Sequence, residues 1–102
     1  MPALSVFIIA RDEADRIGPA IESVKGFAAE VVVVDSGSGD DTVAVAEAAG
    51  ARVLFNPWPG YGPQKRFAEE ACRNPWVFNL DADERATPAL AAEIARRAAD
   101  GS

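Results

Sequence analysis

The sequence predicts an α/β fold on a mainly parallel sheet of about four strands, and three observations predict it. Four short apolar runs, Leu4 to Ile9, Val31 to Val34, Arg52 to Phe55 and Trp76 to Leu80, are rich in β-branched and aromatic residues. Segments with apolar residues at helical spacing separate them, and strands alternating with helices form βαβ units whose strands run parallel under right-handed crossovers. The polar stretches follow the strands, so Ala10 to Glu13, Asp35 to Asp40, Asn56 to Gly62 and Asp81 to Glu84 share one rim. In an open parallel sheet that rim carries the ligand.

Leu4 to Ile9 gives way at once to Arg11, Asp12 and Glu13, the pattern of a buried strand ending in a loop. Ile17, Ala20, Ile21 and Val24 recur at i, i+3, i+4 and i+7, which predicts a helix starting near Gly18 and Pro19 and ending at Gly26. Val31 to Val34, closed by Asp35, reads as a strand buried on both faces, and Ser36 to Gly39 as a flexible loop. Asp40 suits the N-cap of a second helix whose inner face is Val45, Ala46 and Ala49 and whose end is Gly50. After the strand Arg52 to Phe55 comes a loop of Pro, Gly and aromatic residues. A third helix buries Phe67, Ala68, Ala71 and Cys72, and Trp76 to Leu80 is the fourth strand. Thr87 as N-cap and Pro88 in the first turn open a last helix with Leu90, Ala91, Ile94, Ala95 and Ala98 on one side. Helices on both faces make this a Rossmann-like three-layer αβα arrangement.

Composition narrows the function. The 102 residues are expected to form one domain, and 49% hydrophobic with 25% charged residues is ordinary globular content. A net charge of -6, from ten Lys and Arg against sixteen Asp and Glu, argues against nucleic acid, whose phosphates need a basic footprint. A single cysteine, Cys72, provides no internal disulfide, and no apolar run is long enough to cross a bilayer, so a reducing, cytoplasmic setting is expected. The chain has no histidine, which leaves carboxylates to carry any acid/base or metal chemistry.

Those carboxylates concentrate at a strand end. Asp81, Asp83 and Glu84 place three acids within four residues, and a divalent cation relieves the repulsion among them. Mg²⁺ prefers oxygen ligands and keeps several waters, so two carboxylates on one side leave room for a phosphate on the other. A solvated acidic turn before Thr87 would use the same residues. Asp35 can accept from a ribose hydroxyl or a base N–H, or cap the Ser36 to Gly39 turn. The loop Arg11 to Ala14 has none of the glycines that let a backbone approach a pyrophosphate, which disfavours a dinucleotide enzyme. Lys65 and Arg66, at the start of the third helix, either neutralise a diphosphate or form that helix's polar face. Trp58 and Tyr61 either cover a ligand or pack on the core.

Four ordered segments resemble the amino-terminal half of a family 2 glycosyltransferase with the GT-A fold, over nearly the whole chain. They are Ser5 to Glu13, Val33 to Thr42, Pro57 to Lys65 and Leu80 to Glu84. The Val-Asp-Ser-Gly-Ser and Pro-Trp-Pro-Gly-Tyr-Gly stretches are most similar to the lipopolysaccharide-core beta-1,4-glucosyltransferase branch. The resemblance implies a nucleotide-diphosphate sugar, a UDP-sugar foremost, bound with Mg²⁺ or Mn²⁺ for transfer with inversion in cell-envelope glycolipid or polysaccharide synthesis. It implies that Ala10, Arg11, Glu13 and Asp35 line base and ribose and that Lys65 lies near the diphosphate. Asp81 would face ribose or metal-bound water, and Asp83 would ligate the metal. Many members have two aspartates where this chain has Asp35 and Ser36, Asn where it has Asp12 or Arg66, and Thr where it has Gly39, which leaves the base open.

The family continues into an acceptor-binding half that carries the general base, often in a Glu-Asp pair, so the base is expected beyond Ser102. Residues 1–102 are then one nucleotide-sugar-binding domain, truncated relative to the family fold, with no catalytic base of its own, working at the inner face of the cell membrane. Two other readings stand beside this one. A non-catalytic interaction domain would self-associate or meet a partner through its exposed edge. A nucleotidyltransferase would want a glycine-rich basic loop after the first strand, where Arg11, Asp12 and Glu13 provide no glycine.

Overall fold

A computed structural model of the chain describes residues 3–74, 76–82, 93 and 96. The elements run β1 (Leu4–Ala10), α1 (Ala14–Lys25), β2 (Glu30–Asp35), α2 (Thr42–Ala48), β3 (Arg52–Phe55), α3 (Tyr61–Ala71) and β4 (Trp76–Asn79). All four strands are parallel, in the order β3-β2-β1-β4. Phe7 stands opposite Val32 on one side and Asn79 on the other. The backbone N–H of Leu80 donates to Phe7 at 3.0 Å, one residue beyond the end of β4.

Side-chain alternation along the strands makes two cores. Val6, Ile8, Val31 and Val33 turn towards α1 and α2 and pack with Ile17, Ile21, Val24 and Ala46. Phe7, Val32 and Val34 turn the other way and meet Ala68 of α3. Unbroken apolar runs are what a strand covered on both faces requires, and fully burying each such side chain stabilises by about 1.5–3 kcal/mol. The expected three-layer α/β fold is therefore the one observed.

The helices differ from expectation in their starts and faces. α1 begins at Ala14, four residues before Gly18, so Pro19 lies inside the helix on an exposed position. Its start is held from a neighbouring loop: Glu13 N–H donates to Thr42 Oγ1 at 2.8 Å and Ala14 N–H to Asp40 Oδ2 at 3.3 Å. No local sequence signal reports a cap that comes from 26 or more residues away. Gly26 has a helical φ of -67°, so α1 does not end through a left-handed glycine. Gly18 lies where α1 meets α2, and a Cβ there would stand 3.4 Å from Val45 Cγ1, at the near limit of ordinary contact.

At α2 the N-cap position falls on Asp41, yet Asp40 does the capping by accepting the Thr42 N–H at 3.0 Å. Gly50 takes φ +99°, and the N–H groups of Gly50 and Ala51 donate to Glu47 and Ala46, a Schellman ending. α3 starts at Tyr61, so Lys65 and Arg66 fall in its second turn. Pro63 fits there because the first four N–H groups of a helix have no partner within it. The inner face of α3 is Gln64 and Ala68, while Phe67 is exposed. Glu93 and Arg96 are helical, but Thr87, Pro88 and the apolar face expected of the last helix lie outside the described residues.

The amino ends of the strands are tied by a polar cluster. Glu30 accepts from Ser5 Oγ at 2.6 Å, from the Arg73 N–H at 2.6 Å and from Arg52 Nη2 at 3.1 Å. Burial pushes the Glu30 carboxyl up, but these hydrogen bonds together outweigh it and leave the group below its ordinary value of 4.5. A carboxyl held lower in the folded than in the unfolded chain contributes stability above the unfolded value and loses it as pH falls through the folded one. Thermal melts from about pH 6 to about pH 3 are expected to show an acid limb that is shallower in Glu30→Gln. An identical limb in the variant would remove Glu30 from the acid response.

Candidate functional site

Strand order reverses between β1 and β4, the only neighbours in the described sheet that are not consecutive in sequence. A crevice opens outside the carboxyl ends at such a point, because the connections from the two sides diverge onto opposite faces. Two adjoining cavities occupy it here. One, of about 300 Å³, is lined by Ile9, Ala10, Arg11, Glu13, Ser36 and Trp58. The other, of about 380 Å³, is lined by Ile9, Trp58, Tyr61, Asn79 and Asp81.

The walls of the first cavity are two loops braced against each other. Asp35 is 3% exposed and accepts the N–H groups of Gly37 at 3.1 Å and Ser38 at 3.0 Å, together with the Ser38 hydroxyl. Ser38 Oγ in turn accepts the Asp12 N–H at 2.9 Å, and Asp12 Oδ1 accepts the Gly39 N–H at 2.7 Å. These bonds hold Asp12 at φ +54°, a left-handed conformation that aspartate tolerates better than most residues. Glu13 is paired with Arg16 at 2.8 Å, and Arg11 is the cation in the lining of this cavity.

Asp40 completes the brace. Its carboxyl is held below the usual carboxylate range, with the Thr42 hydroxyl the main cause and the N–H groups of Thr42 and Ala14 adding to it against the cost of burial. Replacing Asp40 with alanine removes the shared acceptor at the starts of α1 and α2 and is expected to lower the midpoint of a urea melt. An unchanged midpoint would mean that water caps both helices equally well.

In the second cavity Asn79 Nδ2 donates to Tyr61 Oη at 3.2 Å, which links the end of β4 to the start of α3. Asp81 supplies the carboxylate of this cavity. Its expected partner Asp83, with Glu84, lies outside the described residues, and no group of three or more Asp, Glu or Cys gathers among the described ones. A cation that bridges phosphates needs only one or two carboxylates, so a donor set built on Asp81 suits it.

The structure thus brings Ala10, Arg11, Glu13 and Asp81 to the cavities, with Asp35 one residue from the lining Ser36. Lys65 is exposed on α3 and lines neither cavity. Ile9, Ser36 and Asn79 line the site without having been singled out by sequence. Asn79, a polar residue closing an apolar strand, carried the one available signal.

Comparison with known proteins decides the family. Residues 5–102 match Glycosyl transferase family 2. The chain belongs to glycosyltransferase family 2. An uncharacterized glycosyltransferase of Rickettsia felis is 54% identical over 94 residues, which cover 92% of this family 2 chain and 33% of that protein. The lipopolysaccharide core biosynthesis glycosyltransferase LpsC of Rhizobium meliloti is 49% identical over 92 residues, 85% of this chain and 34% of that one. The family 2 chain therefore spans about a third of the length of these relatives.

Among solved structures, glucosyl-3-phosphoglycerate synthase of Mycobacterium tuberculosis superposes with a TM-score of 0.73 at 32% identity, covering 81% of this chain and 35% of that one. The same enzyme in complex with Mn²⁺, UDP-glucose and phosphoglyceric acid gives a TM-score of 0.72 at 29% identity, covering 82% and 35%. The fold is accordingly the amino-terminal part of a GT-A glycosyltransferase.

Proposed function

We propose that this chain is the donor-binding part of a metal-dependent, inverting glycosyltransferase that takes a UDP-sugar with Mg²⁺ or Mn²⁺. The observation that carries the reading is the pair of adjoining cavities at the strand-order reversal. One is bounded by the β1 and β2 loops and the other holds Asp81, which matches a ligand with a nucleoside at one end and a metal-bridged diphosphate at the other. The solved relative with Mn²⁺ and UDP-glucose supports the same chemistry.

In this reading Ala10, Arg11, Glu13 and Asp35 meet the base and ribose, Asp81 and Asp83 hold the cation, and Lys65 reaches towards the diphosphate from the second turn of α3. The acceptor hydroxyl attacks the anomeric carbon and loses its proton to a base, while the bond to the diphosphate breaks and its electron pair leaves on phosphate. A bound cation stabilises the charge that develops on the leaving diphosphate. In this reading the base is supplied by an acceptor-binding half and not by the residues of the donor site. The similarity to LpsC supports an acceptor in lipopolysaccharide or a related envelope glycan. Among the described residues no helix is long and apolar enough to cross a membrane. On the likeness to LpsC we place the domain's work in the cytoplasm, at the inner face of the cell membrane.

Titration calorimetry tests this with UDP at millimolar concentration. Heat is expected only when Mn²⁺ is present, and it should disappear in Asp83→Ala. Binding indifferent to both metal and Asp83 would remove the cation from the site. Absence of heat with any nucleoside diphosphate would end the donor reading altogether.

A further inference from the structure

Trp58 belongs to neither core and is 51% exposed, although an indole is among the most favourable groups to bury. It stands between Pro57 and Pro59, whose rings fix their own φ, and ahead of Gly60 at φ +110°. The loop is anchored at both ends. Asn56 N–H donates to the Asp35 carbonyl at 3.0 Å, and the Gln64 N–H donates to the Gly60 carbonyl at 3.1 Å. A second layer of bonds locks the same loop from below: Asn56 Nδ2 donates to Gln64 Oε1 at 2.6 Å, and Gln64 Nε2 donates to the Asn56 carbonyl at 2.9 Å.

The half-exposed indole is therefore placed by its backbone and not by core packing. With Ile9 it is one of the two residues lining both cavities, so any ligand long enough to occupy both passes against it. The indole and Ile9 give both cavities apolar surface beside the polar groups of Arg11, Glu13, Ser36, Asn79 and Asp81, and such a surface is suited to a flat heterocycle, since every nucleobase has a π-face and stacking on an aromatic side chain needs no particular base edge.

We propose that Trp58 is a donor-binding residue whose indole stacks on the nucleobase, with Ile9 adding apolar surface, while the diphosphate continues past it towards Asp81. The proposal rests on the donor-binding reading above and adds the residue that grips the base. It also accounts for how a loop without phosphate-binding glycines holds a nucleotide: the grip comes from a rigid aromatic wall instead of a backbone cradle.

The chain has two tryptophans, and Trp76 lies at the amino end of β4, the far end of the sheet from the cavities. In Trp76→Phe all tryptophan emission comes from Trp58, and titration with UDP and Mn²⁺ should quench it along the same isotherm that calorimetry gives. In Trp58→Phe, where only Trp76 reports, emission should stay constant while UDP still binds. Trp58→Ala should weaken UDP roughly tenfold or more, and Trp58→Phe should recover most of that loss. Uridine alone should quench Trp58 as well, because the base and not the phosphate makes the contact. A wild-type isotherm combined with constant Trp58 emission would overturn this inference and leave the donor reading intact. Absence of calorimetric binding in the wild type would overturn both. Should Trp58→Ala fail to fold by circular dichroism, the emission of Trp76→Phe decides alone.

Discussion

Asp35→Ala should lower stability by about 3 kcal/mol and weaken UDP binding at least tenfold, a combined loss no other rim carboxylate is expected to match. The side chain is nearly inaccessible and accepts two backbone N–H groups and one hydroxyl from its own loop. Hydrogen bonds to a charged group are each worth about 1.5–3 kcal/mol, and part of that returns when the freed donors meet water. The damage spreads, because Ser38 is the acceptor for Asp12 and Asp12 is the acceptor for Gly39. Without Asp35 the β1 and β2 loops lose the connection that shapes the first cavity. Asp35→Asn keeps an acceptor oxygen but turns an NH₂ towards the donors, so it should fall between wild type and alanine. Urea midpoints at constant m measure the stability term, and calorimetry with UDP measures the other. A destabilised variant with unchanged affinity would reduce Asp35 to the cap of its own turn.

Gln64→Leu should cost about 3 kcal/mol, a large fraction of the roughly 5–15 kcal/mol that holds a domain of this size together. The glutamine is fully buried, and its amide makes three hydrogen bonds, to Asn56 Nδ2, the Asn56 carbonyl and Ser36 Oγ. Leucine fills similar space but leaves those groups short of partners in a region water does not reach easily. Since Ser36 lines the first cavity and Asn56 anchors the Trp58 loop, nucleotide affinity should fall together with stability. Gln64→Glu tests the chemistry at constant shape: it keeps the acceptor for Asn56 Nδ2, loses both donors and adds a charge, so it should be no better tolerated than leucine. A neutral Gln64→Leu would show that the loop is held by its prolines and backbone alone.

The strands were legible because their signal is local and redundant. Val31 to Val34 cannot form an amphipathic helix, and the observed strand adds only Glu30 and Asp35 to it. Asp81 at the end of an apolar run was legible for the same reason, and it lines a cavity where the strand order reverses. Helix starts were less so. Gly18 and Pro19 look like a first turn, yet Asp40 and Thr42 cap α1 four residues earlier from another loop. Asn56 to Gly62 looks like loop, yet α3 already begins at Tyr61, because a first turn tolerates the glycine and proline of Gly62 and Pro63 that an interior would not.

Gln64 is the clearest case of a residue whose role no local pattern announces. A glutamine beside Lys65 and Arg66 reads as solvent-facing, whereas its neighbours in space, Ser36 and Asn56, give it the three partners that make burial affordable. Trp58 had two equal readings from sequence, and its exposure and place in both cavity walls speak against packing on the core.

By itself the sequence determined the alternation of strands and helices, the parallel sheet and the polar rim, since each follows from patterns within ten or so residues along the chain. Only the tertiary structure decided that β4 joins the sheet beside β1 and not beside β3. That single choice sets Asp81 and Asn79 next to Ile9, opens the crevice at the reversal and brings the Trp58 loop over it. The reason is physical: strand propensity is local, but strand order and cavity walls depend on which faces can be buried together once the crossover through α3 closes.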